Sequence, residues 1–425
     1  MKTVLIVGGG ASGLLVAINI ARLSKEPIAV TIAEPDLFLG RGIAYGTKNP
    51  DHLLNVPAGR MSALVDEPEH FCKWGSFDSN HFASRIEYRK YLLATFISAQ
   101  LENPIVTFEH LQDHVDDISE VKGSYQVNFK QTESRSFDVV VLALGQGRAI
   151  KHPVLEQFSI NPHVIKDAWR DFIGEFDGTL VCVGTGLTFI DHALSHLRKN
   201  SLNRVIGISR NGLLPEPHLA KRAAPLDVPA NARLSPNAMR EFIENSSDWR
   251  AAQDGVRHEL PDIWFSWNDE KKSDFLNNHL RWWNVHRHRI SPEIHQELIE
   301  ALDQERITIV QDEVVALGEN SNSLQVTTAS HGTFAANSVV NCLGYEASGA
   351  GTLVERLLES RTLANGPLKM GISTDYPDHN VLNGHGGVSK NFFALGPILL
   401  GERFETTAIP ELRTQARDVA SAIVC

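Results

Sequence analysis

The chain has 425 residues, 42% of them apolar and 21% charged, with a formal net charge of −11. That length can bury a large core and divide into two or more domains, and the ordinary composition excludes disorder and low complexity. The acidic balance argues against nucleic-acid and anionic-membrane partners, whose footprint on a protein is basic.

The chain opens with an apolar strand, Thr3–Val7, a turn at Gly8-Gly9-Gly10, a helical pattern over Ser12–Leu23 and a second strand over Ala29–Pro35. The three glycines interrupt any signal-like apolar region, and no other window approaches the about 20 apolar residues that span a bilayer. A segment punctuated by Gly, Pro and Asn runs from Leu39 to Met61. A helix is predicted around Glu87–Leu101, then strands at "IVTFEHL", "YQVNF" and "FDVVVLALG". The cysteines, at 72, 182, 342 and 425, form no C-x-x-C pair. They suit a reducing cytoplasm and offer neither a disulfide framework nor a dithiol redox centre.

The second half repeats this plan. "TLVCVG" is a strand, Leu187–Arg198 a helix and "RVIGISR" a strand, and later "RITIVQDEVVAL", "SLQVTTA" and "SVVNCLG" follow the earlier trio in order. The stretches Val139–Gly145 and Ser338–Gly344 both end in Leu-Gly, so the architecture is duplicated. Between the copies, about 214–300, lies a predicted helical insertion holding five of the seven tryptophans: Trp249, Trp264, Trp267, Trp282 and Trp283. From Asn391 onward the pattern is strand, loop and a last helix.

Each copy carries a strand–glycine–helix junction. The first is Gly8-x-Gly10-x-x-Gly13: one glycine for the tight turn, one for close approach of a pyrophosphate, one for packing helix on strand. The free N–H groups at the helix start, around Ala11 and Ser12, favour an anion. Glu34 ends the next strand 21 residues past Gly13, placed to accept ribose hydroxyls. The second junction is Gly184-x-Gly186, followed by Leu187 and Thr188, but its third glycine is replaced by Phe189. At the offset where the first copy has Glu34 stands Arg210, beside Ser209. An acid repels a 2′-phosphate and an arginine binds it, so the expectation is FAD at the first site and NADPH at the second. Gly145 and Gly344, ending the paired strands, are assigned to the same nucleotide sites. Two such sites in one chain make sense when one dinucleotide reduces the other.

The stretches "GRGIAYGTKNPDHLLNVPAGRMSA" (Gly40–Ala63) and "GPILLGERFETTAIPELRTQA" (Gly396–Ala416) resemble a bacterial FAD/NAD(P)-binding family. That family includes flavin-dependent urate hydroxylases and amino-acid N-monooxygenases, and the resemblance runs nearly end to end. It implies an α/β fold on the glutathione-reductase plan, with two Rossmann-like dinucleotide-binding domains and a helical insertion. The FAD domain would comprise 1–165 and 335–425, and the NAD(P)H domain 166–334 with the insertion. It also implies an FAD pocket containing Arg41, Gly42, Asn55, Val56, Met61, Gly396, Thr406, Thr407 and Ala408. Asn55 and Thr406 are the candidate catalytic polar groups at the flavin's reactive face.

Apart from the resemblance, Thr406-Thr407 look like an N-cap for a helix with Pro410 in its first turn. Its N-terminus could face the flavin pyrimidine edge. In the insertion, His286-x-His288 lacks any acid or thiol to complete a metal set, so no metal is expected. The loop Pro215–Pro229, with His218, Lys221 and Arg222, is a candidate lid. Three functions fit: a cytoplasmic monooxygenase using NADPH, O2 and a flavin hydroperoxide on a small nitrogen-containing polar substrate, an amino acid or a purine-like molecule, a reductase for a quinone or protein carrier, or a nucleotide sensor. The family tilts the expectation to the first.

Overall fold

The computed structural model describes residues 1–425 other than 159, 172, 173, 175, 220–222, 321, 322 and 347–350. Two parallel sheets organise the chain. In the first, the order is Asn380–Leu382, Val388–Ala394, Val139–Leu142, Lys2–Val7, Ile28–Ala33, Val106–Leu111, parallel throughout except for the antiparallel edge pair Asn380–Leu382 and Val388–Ala394. In the second it is Ile307–Gln311, Arg204–Ser209, Thr179–Val183, Ser338–Asn341, Val164–Ile165, parallel throughout. The central strands are covered on both faces: every residue of the apolar run Val139–Leu142 and of Ser338–Asn341 is buried, with polar Ser338 and Asn341 flanking Val339 and Val340.

The duplication reaches into the loops. Each half adds a three-stranded antiparallel sheet, Val115–Val121 with Ser124–Phe129 and Arg135–Phe137, and Val314–Glu319 with Leu324–Thr328 and Thr333–Ala336. Asp113 accepts from the backbone N–H groups of Gln131 and Thr132, 18 and 19 residues on, and Asp312 from those of Ser330 and His331 at the same offsets. Burial would raise the Asp113 pKa, but these backbone donors outweigh it.

Two sequence boundaries shift. Val164–Ile165 and Ser338–Asn341, placed in the first domain from sequence, are strands of the second sheet. The chain crosses between modules at a two-stranded ribbon, where the Ile150 N–H donates to the Gly344 oxygen at 2.9 Å and the Glu346 N–H to the Arg148 oxygen at 2.9 Å. The insertion also ends earlier than 300. Helix Pro292–Asp303, capped by Ser291, packs Leu298 and Ala301 into the second module's core with Val205 and Ile307. It is the counterpart of Arg85–Glu102 in the first module, which begins on a Ser84–Glu87 capping box.

The remaining insertion helices, among them Pro236–Asn245, Trp249–Ser266 and Leu280–Arg287, build a separate aromatic core. Trp264, Trp267, Trp283 and Phe275 pack there with Phe404, so the insertion lies inside the second module in sequence but rests on the first module's final segment in space. Among the described residues no helix is long and apolar enough to cross a membrane.

Candidate functional site

The two glycine junctions are near copies. Gly8 and Gly184 both have φ +105, a conformation open mainly to glycine, and both lie where a Cβ would strike a neighbouring strand. That atom would lie 2.4 Å from the Ala143 oxygen at Gly8 and 2.7 Å from the Cys342 oxygen at Gly184. Each lead strand is tied in the same way, with Ala143 N–H donating to the Val7 oxygen and Cys342 N–H to the Val183 oxygen. Both cradle helices, Ala11–Leu23 and Leu187–Lys199, start on an extended glycine with no side-chain cap. Their first N–H groups, including those of Ala11, Ser12, Leu187 and Thr188, have no partner within the helix. An uncapped N-terminus beside an open glycine turn fits a pyrophosphate. Space exists for one: a Cβ on Gly10 would approach only Gly42, at 3.6 Å, and one on Gly186 would meet nothing within 4 Å.

The third position separates them. A Cβ on Gly13 would lie 2.0 Å from the Gly8 oxygen. Phe189 occupies that place in the second copy, wholly buried, and Gly207 in strand Arg204–Ser209 makes the room: a Cβ there would meet the Phe189 ring at 2.8 Å. The missing glycine has moved to the facing strand.

The residues after the second strands also differ. The Glu34 carboxylate is oriented by the backbone, accepting from Gly9 N–H at 2.8 Å and Asp36 N–H at 3.0 Å. Arg210 is exposed and makes no ion pair among the described residues. Ser209, expected to assist it, is committed elsewhere: its hydroxyl shares a 2.8 Å bond with Thr185 Oγ1 and accepts from Gly212 N–H at 3.1 Å. Arg281, on insertion helix Leu280–Arg287, was not foreseen. Its pKa is lowered by burial and by the nearby positive charge of Arg210.

Around the first cradle the structure gathers the two motif segments. Gly40 N–H donates to the Gly9 oxygen at 2.7 Å, and Gly396, at φ +82, leaves room for Ser12 Oγ, which a Cβ would meet at 3.2 Å. Arg41 is held by Asp36 and lies over Phe38 at 4.4 Å. Val56 and Met61 are core residues, and Thr406 is fully buried, donating to the Gly396 oxygen at 3.1 Å and accepting from Gln415 Nε2 at 2.8 Å. Its hydroxyl is therefore turned into the wall and reaches no open space. Thr407 and Ala408 are half-buried, and the cap of helix Ile409–Val424 is Ala408, with no side-chain bond, rather than either threonine. Gly145 and Gly344, with φ +67 and +89, follow the paired strands of the two modules.

Asn55 lies at the junction between modules. Its backbone oxygen accepts from His218 Nε2 at 3.0 Å, and it lines a narrow cavity with Leu187, Ile190, Asp191, Arg85 and Ser291. His218 also donates its N–H to the Ile290 oxygen, so this part of the expected lid is fixed, while Lys221 and Arg222 lie outside the described residues. His286 packs on Trp249 and Trp282 and bonds the Trp282 carbonyl.

Sequence reasoning missed the carboxylate just before the C-terminal helix. Glu405 is buried, bonded to Arg287 and Trp283 Nε1, with Arg257 at 3.7 Å. Burial alone would raise its pKa, but Arg287 and Arg257 hold it down at about 2. Arg257 also pairs with Glu411 in the first turn of that helix at 2.7 Å. Cys182 and Cys342, far apart in sequence, become buried neighbours under the second cradle. Burial, then the Cys182 thiol, push the Cys342 pKa well up, which disfavours its thiolate.

Residues 5–147 match a family model described as FAD-NAD(P)-binding. No curated protein matches the sequence. Among solved structures the chain is similar to an ornithine hydroxylase from Pseudomonas aeruginosa, with TM-score 0.65 at 13% identity, covering 100% of this chain and 98% of that one. An L-lysine 6-monooxygenase from Pseudomonas syringae has TM-score 0.61 at 16% identity, covering 100% and 99%. A thioredoxin reductase from Lactococcus lactis has TM-score 0.53 at 11% identity, covering 99% and 97%. The chain thus carries an FAD/NAD(P)-binding domain and has the fold of flavoproteins with two dinucleotide-binding domains.

Proposed function

We propose that the protein is an FAD-dependent, NADPH-using monooxygenase of a small nitrogen-containing substrate, an amino acid or a related amine, with O2 as co-substrate. The observation that carries this reading is the pair of matched cradles ending in opposite charges, Glu34 and Arg210. In the first module the N–H groups at Ala11–Gly13 would hold the FAD pyrophosphate, and Glu34 its adenosine ribose. In the second, Leu187 and Thr188 would hold the NADPH pyrophosphate, and Arg210 with Arg281 its 2′-phosphate. Bound flavin would supply the redox chemistry, accepting a hydride from the nicotinamide and passing electrons to O2.

The chain's own residues shape that site. Thr406 and Gln415 fix Gly396 against Ser12, and the buried Arg257–Glu405–Arg287 group anchors the insertion beside the uncapped Ile409–Val424 helix. That N-terminus would favour negative charge on a reduced flavin. Asn55 would be a polar group near the reactive face, whereas Thr406 would position backbone. The substrate class is suggested by the similar structures of an ornithine hydroxylase and an L-lysine 6-monooxygenase. Likeness to a thioredoxin reductase keeps a carrier reductase as the second reading, without an accessible dithiol of its own, since Cys182 and Cys342 are buried.

The test is a coupling assay. NADPH oxidation, O2 uptake, peroxide release and hydroxylated product are measured with ornithine, lysine, cadaverine and urate. One of these should accelerate NADPH use and suppress peroxide as product appears. Rates indifferent to all four, but rising with an added quinone, would favour the reductase.

A further inference from the structure

One segment touches both cradles. Gly42 lies against Gly10, and a few residues later Thr47–His52 reaches the helix of the second cradle. On that helix Asp191, Ser195 and Arg198 fall at i, i+4 and i+7, along one face. Asp191 pairs with Arg85 at 2.8 Å, each side chain only 14% exposed. Ser195 Oγ meets Asn49 Nδ2 at 2.9 Å and His52 Nε2 at 3.0 Å, and Arg198 lies 3.6 Å from Asp51. Arg85 completes the bridge: it donates to the Ala44 oxygen at 3.2 Å, takes the His52 oxygen at its own N–H, and stacks over Trp169 at 4.8 Å. Arg85, Asp191, Asn55 and Leu187 line the same junction cavity.

We propose that Arg85 and Asp191 are positioning residues that clamp the second cradle's helix to the flavin-side segment, fixing the gap across which hydride passes. The proposal rests on the two-nucleotide reading above. The step it serves moves a hydride, two electrons with one proton, from nicotinamide to flavin, oxidising one as it reduces the other. Three facts point to positioning rather than bulk stability. The chain passes between the modules at the narrow ribbon of Arg148–Ile150 and Gly344–Glu346, which leaves their relative placement to non-covalent contacts. The insertion's bonds to Glu405 and Glu411 hold insertion helices, not the cradle helix. Asp191 is one turn past Leu187, about 6 Å along the axis, so a shift there moves the cradle itself. Buried ion pairs seldom add net stability over apolar packing, but they define geometry.

The test uses the full-length protein with Arg85→Met, Asp191→Asn and, as control, Arg135→Ala, which removes an exposed pair with Glu109. In Arg85→Met, amide exchange over 187–199 in the FAD-free protein should accelerate about tenfold or more. In the FAD-loaded protein the limiting rate of anaerobic flavin reduction should fall about tenfold or more, because angstrom misplacement is enough to do so. The Kd for NADPH and the FAD content should stay within about threefold of the parent's, a split that general loosening would not give. Asp191→Asn should repeat the pattern more weakly, and the control should show none of it. Unchanged exchange, or a loss confined to Kd or FAD content, overturns the proposal. Should Arg85→Met fail to fold, Ser195→Ala decides, by faster exchange over 187–199 or its absence. If NADPH leaves the parent flavin oxidised, the functional reading fails, while the exchange measurement, made without nucleotide, still decides the clamp.

Discussion

In the first module the cradle helix is drawn against its strand by Gly13, which no larger residue can replace without striking Gly8. In the second the same place holds a buried phenylalanine, and the strand facing it gives way at Gly207 instead. The turns themselves, with φ +105 at Gly8 and Gly184, hardly differ. The comparison separates two kinds of constraint. Backbone geometry that a pyrophosphate must meet is kept in both copies. Side-chain packing behind it is solved in two ways, and the charge after the second strand differs, Glu34 in one copy and Arg210 in the other.

The largest effect expected from breaking this symmetry is at the crowded glycine. Gly13→Ala should cost about 3 kcal/mol or more of stability, because the clash is with backbone that cannot rotate away, and FAD should be lost. Gly186→Ala, at φ −84 in open space, should fold normally yet weaken NADPH binding. Chemical denaturation and nucleotide titration check both. Next is Gly207→Ala, expected to cost about 1–3 kcal/mol from overpacking against Phe189. Adding Phe189→Leu should recover much of it, and a double-mutant cycle with no coupling would mean that the two positions solve no common problem.

The charge difference can be removed alone. Arg210→Ala should lower kcat/KM for NADPH by about 10–100-fold and leave NADH nearly unchanged, since one charge-assisted contact to phosphate is lost. Arg281→Ala should do the same more weakly. Equal losses with both nucleotides would detach Arg210 from the 2′-phosphate.

The smallest effect lies where the modules meet. Burial foremost, then the neighbouring His192 and Arg85, lower the His52 pKa to about 3. A base whose folded pKa is depressed gives stability that is complete above its unfolded value near 6.5 and declines as pH falls toward the folded one. Between pH 7 and 6 its share of the loss should be under about 1 kcal/mol, seen as a drop in Tm that His52→Gln makes smaller but does not abolish, because burial also depresses His192, His288 and His379.

Much of this was readable in the sequence because glycine turns and apolar strands are local signals. Gly8, Gly184 and the Leu-Gly strand ends gave two modules, and Glu34 against Arg210 gave their difference. What escaped depends on tertiary partners. Nothing local marks Gly207 as the relief for Phe189, or turns Thr406 inward to Gln415. The domain boundary slipped because nothing local in Ser338–Asn341 marks its sheet, which is decided by pairing with Thr179–Val183. The clamp did leave a trace: Asp191, Ser195 and Arg198 form a polar stripe on a helix whose other face is buried.

Two nucleotides held in series are the central claim, and one experiment reaches it directly. FAD-loaded protein is mixed anaerobically with NADPH or NADH while the flavin absorbance is followed. The colour should bleach, and faster with NADPH by about tenfold or more, the worth of the phosphate contact. Protein that takes up no FAD, or whose flavin stays oxidised under saturating NADPH, would contradict that claim.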